Sequence, residues 1–397
     1  MRARRPLLSV VAIMLLAFNL RLAVSGVPPI LGDLGLGTVA QSLLVTVPVL
    51  CFGMAALSAP WLTRQVGEDQ LLLGVIAALA VGLAVRAAWP ASGLFPGTLV
   101  AALAVAIMNV LVPGVVRGRF AGHSAAMTSA YTVALSLGAG LAAGLTVPIL
   151  HATRSLHLAL GVWAIPAGLA GLVWAAQLGG SRPARGHDSV SGPRITGAGV
   201  QLWSSPIAWG VTAFFGMQSL VYYAVLSWLP SIYRSRGDSA SAAGLLLAIL
   251  AIVGILGNLL GPALASRTKD QRLAVTAGVS TTAIGLLGVL LGPPSWAILW
   301  VCILGIGTGA TFSVALLLLV VRSDSARTAV SLSAMAQGTG YLIAASGPLA
   351  LGLVRAESGS WTWPLVLLLA VLTLETVPGL IGARDKPVGS LPAGPGK

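Results

Sequence analysis

Apolar runs long enough to cross a membrane recur twelve times along this chain. Short polar or glycine-rich connections separate them, and one long polar stretch follows the sixth run. A helix needs about 20 mostly apolar residues to cross the hydrocarbon core of a bilayer. The pattern therefore predicts twelve transmembrane helices, at about 7–31, 39–62, 71–88, 95–116, 126–150, 158–178, 205–233, 240–264, 273–292, 295–321, 328–354 and 361–381.

The long polar stretch, residues 179–199, is rich in Gly, Ser, Pro and Arg and has no apolar periodicity. That composition is typical of a flexible linker. Short motifs also repeat on either side of it, such as Phe18–Arg21 in the first run and Phe215–Gln218 in the seventh. Such repeats favour two pseudosymmetric halves with a substrate site near the midplane between them. The predicted division is an N-terminal six-helix half (1–178), a cytoplasmic linker (179–204), and a C-terminal six-helix half with a short tail (205–397).

Composition supports an all-α integral membrane protein, since 56% of the 397 residues are hydrophobic and only 8% are charged. Soluble domains carry about 25% charged residues, and the alternating pattern of a membrane barrel is absent. Cys51 and Cys302 both fall within apolar runs, and the four histidines lie in or beside loops at no ligand spacing. We therefore expect no disulfide framework, no metal site and no cofactor.

The positive charges are distributed unequally between the two sets of connections. Seventeen of the 23 lysines and arginines lie in the termini and in the connections on the same side, and four lie on the other side. Cytoplasmic loops carry the excess of Lys and Arg. The pattern predicts a multi-pass protein of the cytoplasmic membrane with both termini inside, and it accounts for the net charge of +13 without a nucleic-acid partner.

The first run has a competing interpretation. Its basic start, apolar core and small-residue end are also features of a cleaved signal peptide. Asn19 and Arg21 within the run, and the length of the run, favour a retained helix.

Arg21 is the main candidate for substrate binding. It lies about 20 Å into the first predicted helix, where a charge costs at least a few kcal/mol unless it faces a polar cavity or a partner. A guanidinium can hold an anion or a planar acceptor through paired N–H donors. The alternative is that Arg21 extends along the helix towards the membrane surface, which requires a reach of about 10 Å and is long for this side chain.

Two amide–tyrosine pairs are the next candidates: Gln218 with Tyr222, and Gln337 with Tyr341. Residues four apart share one face of a helix, so each pair offers donors, acceptors and an aromatic wall to a small flat solute. Hydrogen bonds between helices are the alternative. The remaining candidates are Asn19, Asn109, Tyr131, Asn258 and Thr311. For some of them, a hydrogen bond to the backbone is the alternative.

Three other residues are expected to have structural roles. Pro378 and Gly379 follow Glu375 closely, so the sequence favours a position in the last helical turn near the inner headgroups, with no part in proton coupling. Arg86 precedes Trp89 and is expected to be an interfacial anchor. Tyr223 points away from Tyr222 and is expected to pack against neighbours.

The chain resembles the major facilitator superfamily over nearly its whole length, and more narrowly the cyanate and 2-nitroimidazole transporter branch. The segments that carry this resemblance are Asn19–Arg21, Leu44–Gly53, Asn109–Gly114, Tyr131–Gly138, Gln218–Tyr223, Trp228–Pro230, Met335–Tyr341 and Gly347–Pro348. The loop at 58–69 departs from the superfamily pattern, because the usual aspartate is missing while Gly67 remains. A cytoplasmic gate built on that aspartate is therefore not expected.

The resemblance implies a monomeric secondary transporter that works by alternating access. Its small anionic or planar polar substrate would bind between helices 1, 4, 5, 7, 8, 10 and 11, with a proton as the candidate coupling ion. A multidrug or metabolite exporter of the same fold is the alternative. A membrane enzyme is not expected, because no cluster of His, Asp or Glu lies at one membrane surface. No loop carries an ATP-binding motif, so we expect an ion or solute gradient to drive transport.

Overall fold

The computed structural model describes residues 6–120, 124–179, 202–386 and 388. All regular secondary structure in these residues is helical. A short helix, Leu156–Gly161, leads into the sixth long helix, and 3-10 turns occur at Pro28–Asp33 and Pro294–Trp296. The long helices are α1 (Pro6–Ser25), α2 (Thr38–Val66), α3 (Glu68–Ala88), α4 (Leu94–Arg119), α5 (Ser124–Thr153), α6 (Ala164–Gly179), α7 (Pro206–Arg234), α8 (Ala240–Ala265), α9 (Arg272–Leu291), α10 (Ala297–Val321), α11 (Ala326–Ser358) and α12 (Thr362–Gly382).

Eleven segments of the described chain are long and apolar enough to cross a membrane. The helix outside this set is α11, which is the longest at 33 residues and carries several Ser, Thr and Gln residues. It packs against α2 and α7, so protein rather than lipid surrounds much of its polar surface. The all-α membrane fold predicted from the sequence is confirmed.

The same helix pairs pack together in the two sets of six helices. Contacts between α1 and α5 correspond to those between α7 and α11, and the α2–α4 and α3–α4 pairs correspond to α8–α10 and α9–α10. A Cβ atom on Gly138 of α5 would overlap the carbonyl oxygen of Phe18, and one on Gly340 of α11 would lie 2.8 Å from the ring of Phe215. Phe18 and Phe215 are the residues that the sequence repeat pairs with each other, so the packing has the predicted pseudosymmetry.

The first helix is part of the bundle core. Ala12, Ile13, Leu16 and Leu20 are fully buried, and α1 packs against α4, α5 and α6. This favours a retained helix over a cleaved signal peptide. Most of the predicted linker, residues 180–201, lies outside the described residues, so the domain boundaries stay predictions.

The loop that lacks the usual aspartate is short. Helix α2 continues to Val66, and Gly67 adopts a positive φ of 84° that favours glycine. Helix α3 then begins at Glu68 with Asp69 beside it. Acidic side chains in a first turn stabilise the positive end of the helix dipole.

The two halves meet through α2 with α11 and through α5 with α8. Near the end formed by the α1–α2 and α7–α8 connections, which we call the distal end, the backbones are very close. A Cβ on Gly352 of α11 would overlap Ser42 Oγ of α2, and one on Gly244 of α8 would lie 2.7 Å from the Ala143 carbonyl oxygen of α5. The structure is therefore closed between the halves at the distal end.

An ion pair also joins the halves at the distal end. Arg234, at the end of α7, donates to the two carboxylate oxygens of Asp33 at 3.0 and 3.2 Å. The side chains are 30% and 32% exposed, so the pair contributes up to about 1 kcal/mol. Its two-pronged geometry favours the closed arrangement over any arrangement that separates the connections.

We expect Asp33→Arg to open the distal end and Asp33→Arg with Arg234→Asp to restore closure, because the single change places like charges together. Spin labels at Gly37→Cys and Ser235→Cys, with Cys51 and Cys302 replaced by alanine, report the separation by pulsed dipolar spectroscopy. The single charge reversal should shift the distance distribution to longer values. Identical distributions in the wild type and the single variant would show that the ion pair has no influence on closure.

Candidate functional site

Helix α1 carries Arg21 into the bundle interior. The guanidinium carbon lies 4.9 Å from the ring centroid of Tyr222 and 5.4 Å from that of Tyr223, both on α7. Its Nη1 atom is buried and has no hydrogen-bond partner among the described residues. The side chain therefore crosses from α1 to α7 and does not extend to the membrane surface. Contacts of this kind between a cation and an aromatic ring contribute about 0.5–2 kcal/mol.

Among the described residues, the ionisable side chains that surround Arg21 are tyrosines. They come from both halves: Tyr131 on α5, Tyr222 and Tyr223 on α7, and Tyr341 on α11. Within the described chain, no acidic side chain forms an ion pair with Arg21. The site is thus a fixed positive charge with aromatic walls and no built-in counterion, an arrangement suited to binding an anion.

Tyr223 is central to the aromatic wall. Its ring centroid lies 5.3 Å from that of Tyr222, 5.8 Å from Phe52 and 6.2 Å from Tyr341. The expectation that Tyr223 only packs is wrong, because its ring also contacts the guanidinium. Phe52, on α2, was not predicted as a site residue. It is 5.6 Å from Tyr341, and the signal available in the sequence was an aromatic residue directly before Gly53, within a segment that carries the family resemblance.

The two predicted amides are engaged mainly by their own helices. Gln218 is almost fully buried, and its Nε2 donates to the Phe215 carbonyl at 3.0 Å and to Ser219 Oγ at 2.6 Å. The Oε1 atom of Gln218 has no partner among the described residues. Gln337 Nε2 donates to Ser333 Oγ at 2.7 Å. The Oε1 atom of Gln218 is therefore a buried acceptor still available to a hydrogen-bond donor.

Two of the predicted site residues belong to helix packing instead. Asn19 is fully buried and donates to the carbonyls of Leu15 at 2.8 Å and Pro166 at 3.1 Å, which ties α1 to α6. Thr311 donates to carbonyls of the preceding turn of α10, and its methyl group lies 3.0 Å from a Cβ built on Gly278 of α9. Hydroxyls in helices commonly bond back in this way. Neither residue belongs to the Arg21 site.

The other two candidates are asparagines on different helices. Asn109 on α4 and Asn258 on α8 are both half-buried. Asn258 Oδ1 is buried and has no partner among the described residues. The alternative for Asn109 is a hydrogen bond to the backbone that Pro113 leaves free, and the side chain of Pro113 lies outside the described residues. Both stay predictions.

Glu375 is not in the last turn of its helix. Helix α12 continues through Pro378 to Gly382, and the carboxyl group is fully buried, with neither oxygen bonded within the described chain. Proline is tolerated inside membrane helices, because neighbouring groups satisfy the freed carbonyl. One turn on, Gly379 packs against Phe214 of α7, where a Cβ would lie 2.9 Å from the ring. The expectation of a headgroup position is therefore wrong, and α7 connects Glu375 with the Arg21 site.

Arg86 is not an interfacial anchor either. Its side chain is 1% exposed, although Trp89, three residues on, is 60% exposed. Close packing of α3 on α4 explains this, because a Cβ on Gly97 would lie 2.9 Å from Arg86 Cβ. Arg86 Nη1 donates to the Ala23 carbonyl of α1 at 3.1 Å.

Residues 9–348 match the family model described as Major Facilitator Superfamily. The chain belongs to this superfamily. It is 32% identical over 384 residues to the 2-nitroimidazole transporter of Escherichia coli, with 96% of each chain covered. It is 29% identical over 377 residues to the cyanate transport protein CynX of the same organism, with 92% of this chain and 96% of CynX covered.

The superfamily fold is also seen in solved structures. The POT family transporter PepTSo superposes with a TM-score of 0.74 at 13% identity, covering 97% of this chain and 99% of PepTSo. This superfamily member is a multi-pass membrane transporter of small molecules and not an enzyme. The predicted resemblance to the cyanate and 2-nitroimidazole transporter branch is confirmed.

Proposed function

We propose that this superfamily member is a secondary active transporter, working as a monomer, which moves a small anionic or planar polar solute across the cytoplasmic membrane by alternating access. The observation that carries the proposal is Arg21, a buried guanidinium with no acidic partner in the described chain. Its walls come from both halves, Tyr131 from one and Tyr222 and Tyr341 from the other. A ligand bound there contacts both halves, so its binding is linked to their relative movement.

The aromatic and guanidinium groups of the site favour a flat or linear ligand. Aromatic rings from α2, α7 and α11 lie 5.3 to 6.2 Å apart between centroids, and the guanidinium offers coplanar N–H donors. Cyanate is a linear monovalent anion, and a nitro group presents two acceptor oxygens in one plane. The names of the two relatives therefore support one shared chemistry, a compact acceptor that a guanidinium can hold.

A thermal-shift screen of the purified full-length protein tests the solute class. The panel contains small monovalent anions, nitroheterocycles and large apolar cations. A ligand present at 100 times its dissociation constant stabilises the folded state by about 2.7 kcal/mol, so an anion or nitroheterocycle should raise the melting temperature measurably. Stabilisation by the apolar cations alone would contradict the proposal and favour the multidrug exporter. Accumulation against efflux of the labelled hit in whole cells then gives the direction.

Coupling to a proton is the second part of the proposal, with Glu375 as its binding site. A carboxyl group buried in a membrane helix is usually functional, and this one has no bonded oxygen within the described chain. No basic side chain forms an ion pair with Glu375 in the part of the chain that the structure describes. Helix α12 packs along α7, which carries Tyr222 and Tyr223 of the Arg21 site.

We expect Glu375→Gln to abolish accumulation driven by a pH gradient in proteoliposomes while keeping solute exchange at zero gradient. Glutamine has the same size but cannot release a proton. The matched control is Glu357→Gln at the exposed distal end of α11, which should behave as wild type. If Glu375→Gln accumulates solute as the wild type does, Glu375 does not carry the coupling proton.

The orientation in the membrane is proposed from the charge pattern. Reporter fusions at Gly180 and Lys397 should both report a cytoplasmic location, because the flanking connections carry most of the arginines. A periplasmic signal from either fusion would contradict the proposed orientation.

A further inference from the structure

Arg86 is a second buried guanidinium with unused hydrogen-bond donors. Its Nη1 donates to the Ala23 carbonyl at 3.1 Å, while its Nε and Nη2 atoms are buried and have no partner in the described chain. Arginine carries five N–H donors and does not deprotonate in proteins. Removing such a charge from water without a partner costs several kcal/mol. A missing acceptor is therefore expected beside these atoms.

A cavity lies beside Arg86, between α1, α2, α3, α4 and α7. Its volume is about 20 Å³, whereas a site for one water-sized particle needs about 10–15 Å³. The polar side chains of its lining are Arg86, Thr98, Ser227 and Tyr223. Thr98 Oγ1 is also buried without a partner among the described residues. The cavity thus has room for one small particle and has unused polar groups on two helices.

The positive charge of Arg86 favours an anion over a water molecule as the occupant of this cavity. Among the described residues, the cavity lining contains no acidic side chain, and none forms an ion pair with Arg86. Water accepts hydrogen bonds but leaves the positive charge uncompensated, whereas a monovalent anion satisfies the free N–H groups and neutralises it. Tyr223 belongs to this cavity and also contacts Arg21, so the two guanidinium sites adjoin through one ring.

We propose that Arg86 and Thr98 form a second anion site, which takes a monovalent anion of about the size of a halide. The site lies towards the distal end from Arg21, because Arg86 is near the end of α3 and Thr98 near the beginning of α4. It goes beyond the proposed function and does not require that solute binding at Arg21 be correct. An anion held there lies beside Tyr223, whose ring is also part of the wall of the Arg21 site.

Equilibrium dialysis of the purified full-length protein against radioactive chloride tests this site. We expect saturable binding, of which one chloride per chain is lost in Arg86→Met, a change that keeps an unbranched side chain but removes the charge and the N–H donors. Arg21→Met should retain that chloride while losing the solute-induced thermal shift, so a failure of the proposed function is distinguishable from a failure of this site. In Thr98→Val, which keeps the shape of the side chain, chloride affinity should fall about 2- to 12-fold through loss of one hydrogen bond.

Thr98→Val also decides the question if Arg86→Met does not fold. Chloride binding equal to wild type in whichever of Arg86→Met and Thr98→Val folds would overturn the proposal and assign the cavity to water. Absence of saturable chloride binding to the wild-type protein would overturn it as well.

Discussion

Arg21→Ala is expected to weaken solute binding by about 10- to 150-fold while membrane insertion and folding stay intact. The expected loss corresponds to one charge-assisted hydrogen bond, worth roughly 1.5–3 kcal/mol. Folding should tolerate the change, because the recorded contacts of the guanidinium are with two tyrosine rings and its Nη1 has no partner in the described chain. Removing an unpaired charge from the interior also removes a desolvation cost.

Arg21→Lys is the matched variant for the same measurement. Lysine keeps the charge but not the planar fork of donors, so an anion should bind with intermediate affinity, and a nitroheterocycle should lose more. Titration calorimetry with the hit from the thermal-shift screen gives affinity, and the melting temperatures of the same samples give stability. Wild-type affinity in Arg21→Ala, with a lowered melting temperature, would show that Arg21 has a structural role alone.

Gly352→Val is expected to reduce transport about 5- to 150-fold while leaving solute binding in place. A Cβ at this position would overlap Ser42 Oγ and lie 2.8 Å from the ring of Trp228. Overpacking of this kind costs about 1–3 kcal/mol, and here it penalises the state in which α2 and α11 are in contact at the distal end. An arrangement with the distal end open is free of the overlap with Ser42, whereas the contact with Trp228 lies within one half and is present in both arrangements. The variant should therefore accumulate with the distal end open.

The control for this prediction is Gly74→Val in α3, since a Cβ on Gly74 meets no other atom within 4 Å. It should transport as the wild type does. The spin-label pair at residues 37 and 235 should show longer distances for Gly352→Val and unchanged distances for the control. Normal transport by Gly352→Val would mean that closure of the distal end is not a step in the cycle.

The fold was predictable from the sequence because membrane helices have a simple requirement of length and apolarity. The Arg21 site was partly predictable for a related reason. A charge deep in an apolar helix must have a polar surrounding, and the spacing of Tyr222 after Gln218 and of Tyr341 after Gln337 placed each tyrosine on one face with a polar residue.

The direction of a side chain around its helix was harder to predict. Asn19 and Thr311 are polar residues in cavity-lining helices, but they face α6 and α9 respectively. Phe52 enters the site because α2 and α11 approach closely at Gly53, where a Cβ would lie 3.3 Å from the Gly338 carbonyl oxygen. Such contacts between distant helices depend on the final packing and leave no local pattern.

Two of the buried charged residues outside the site, Arg86 and Glu375, were mispredicted for different reasons. Arg86 lies next to an exposed tryptophan, which suggested the membrane surface, but glycine-mediated packing of α3 on α4 turns the arginine inward. Glu375 was placed at a helix end because a proline follows, yet α12 continues through that proline. In both cases tertiary packing overrides a local signal.

The position of the bound solute is the most direct test of whether Arg21 holds the substrate between the two halves. Selenocyanate is a linear monovalent anion whose selenium gives an anomalous diffraction signal, and crystals of the wild-type protein can be soaked in it. We expect an anomalous peak within hydrogen-bonding reach of the Arg21 guanidinium, beside the rings of Tyr222 and Tyr341, that is absent from crystals of Arg21→Ala. A peak that persists in Arg21→Ala, or selenium found only outside the space between the two halves, would contradict it.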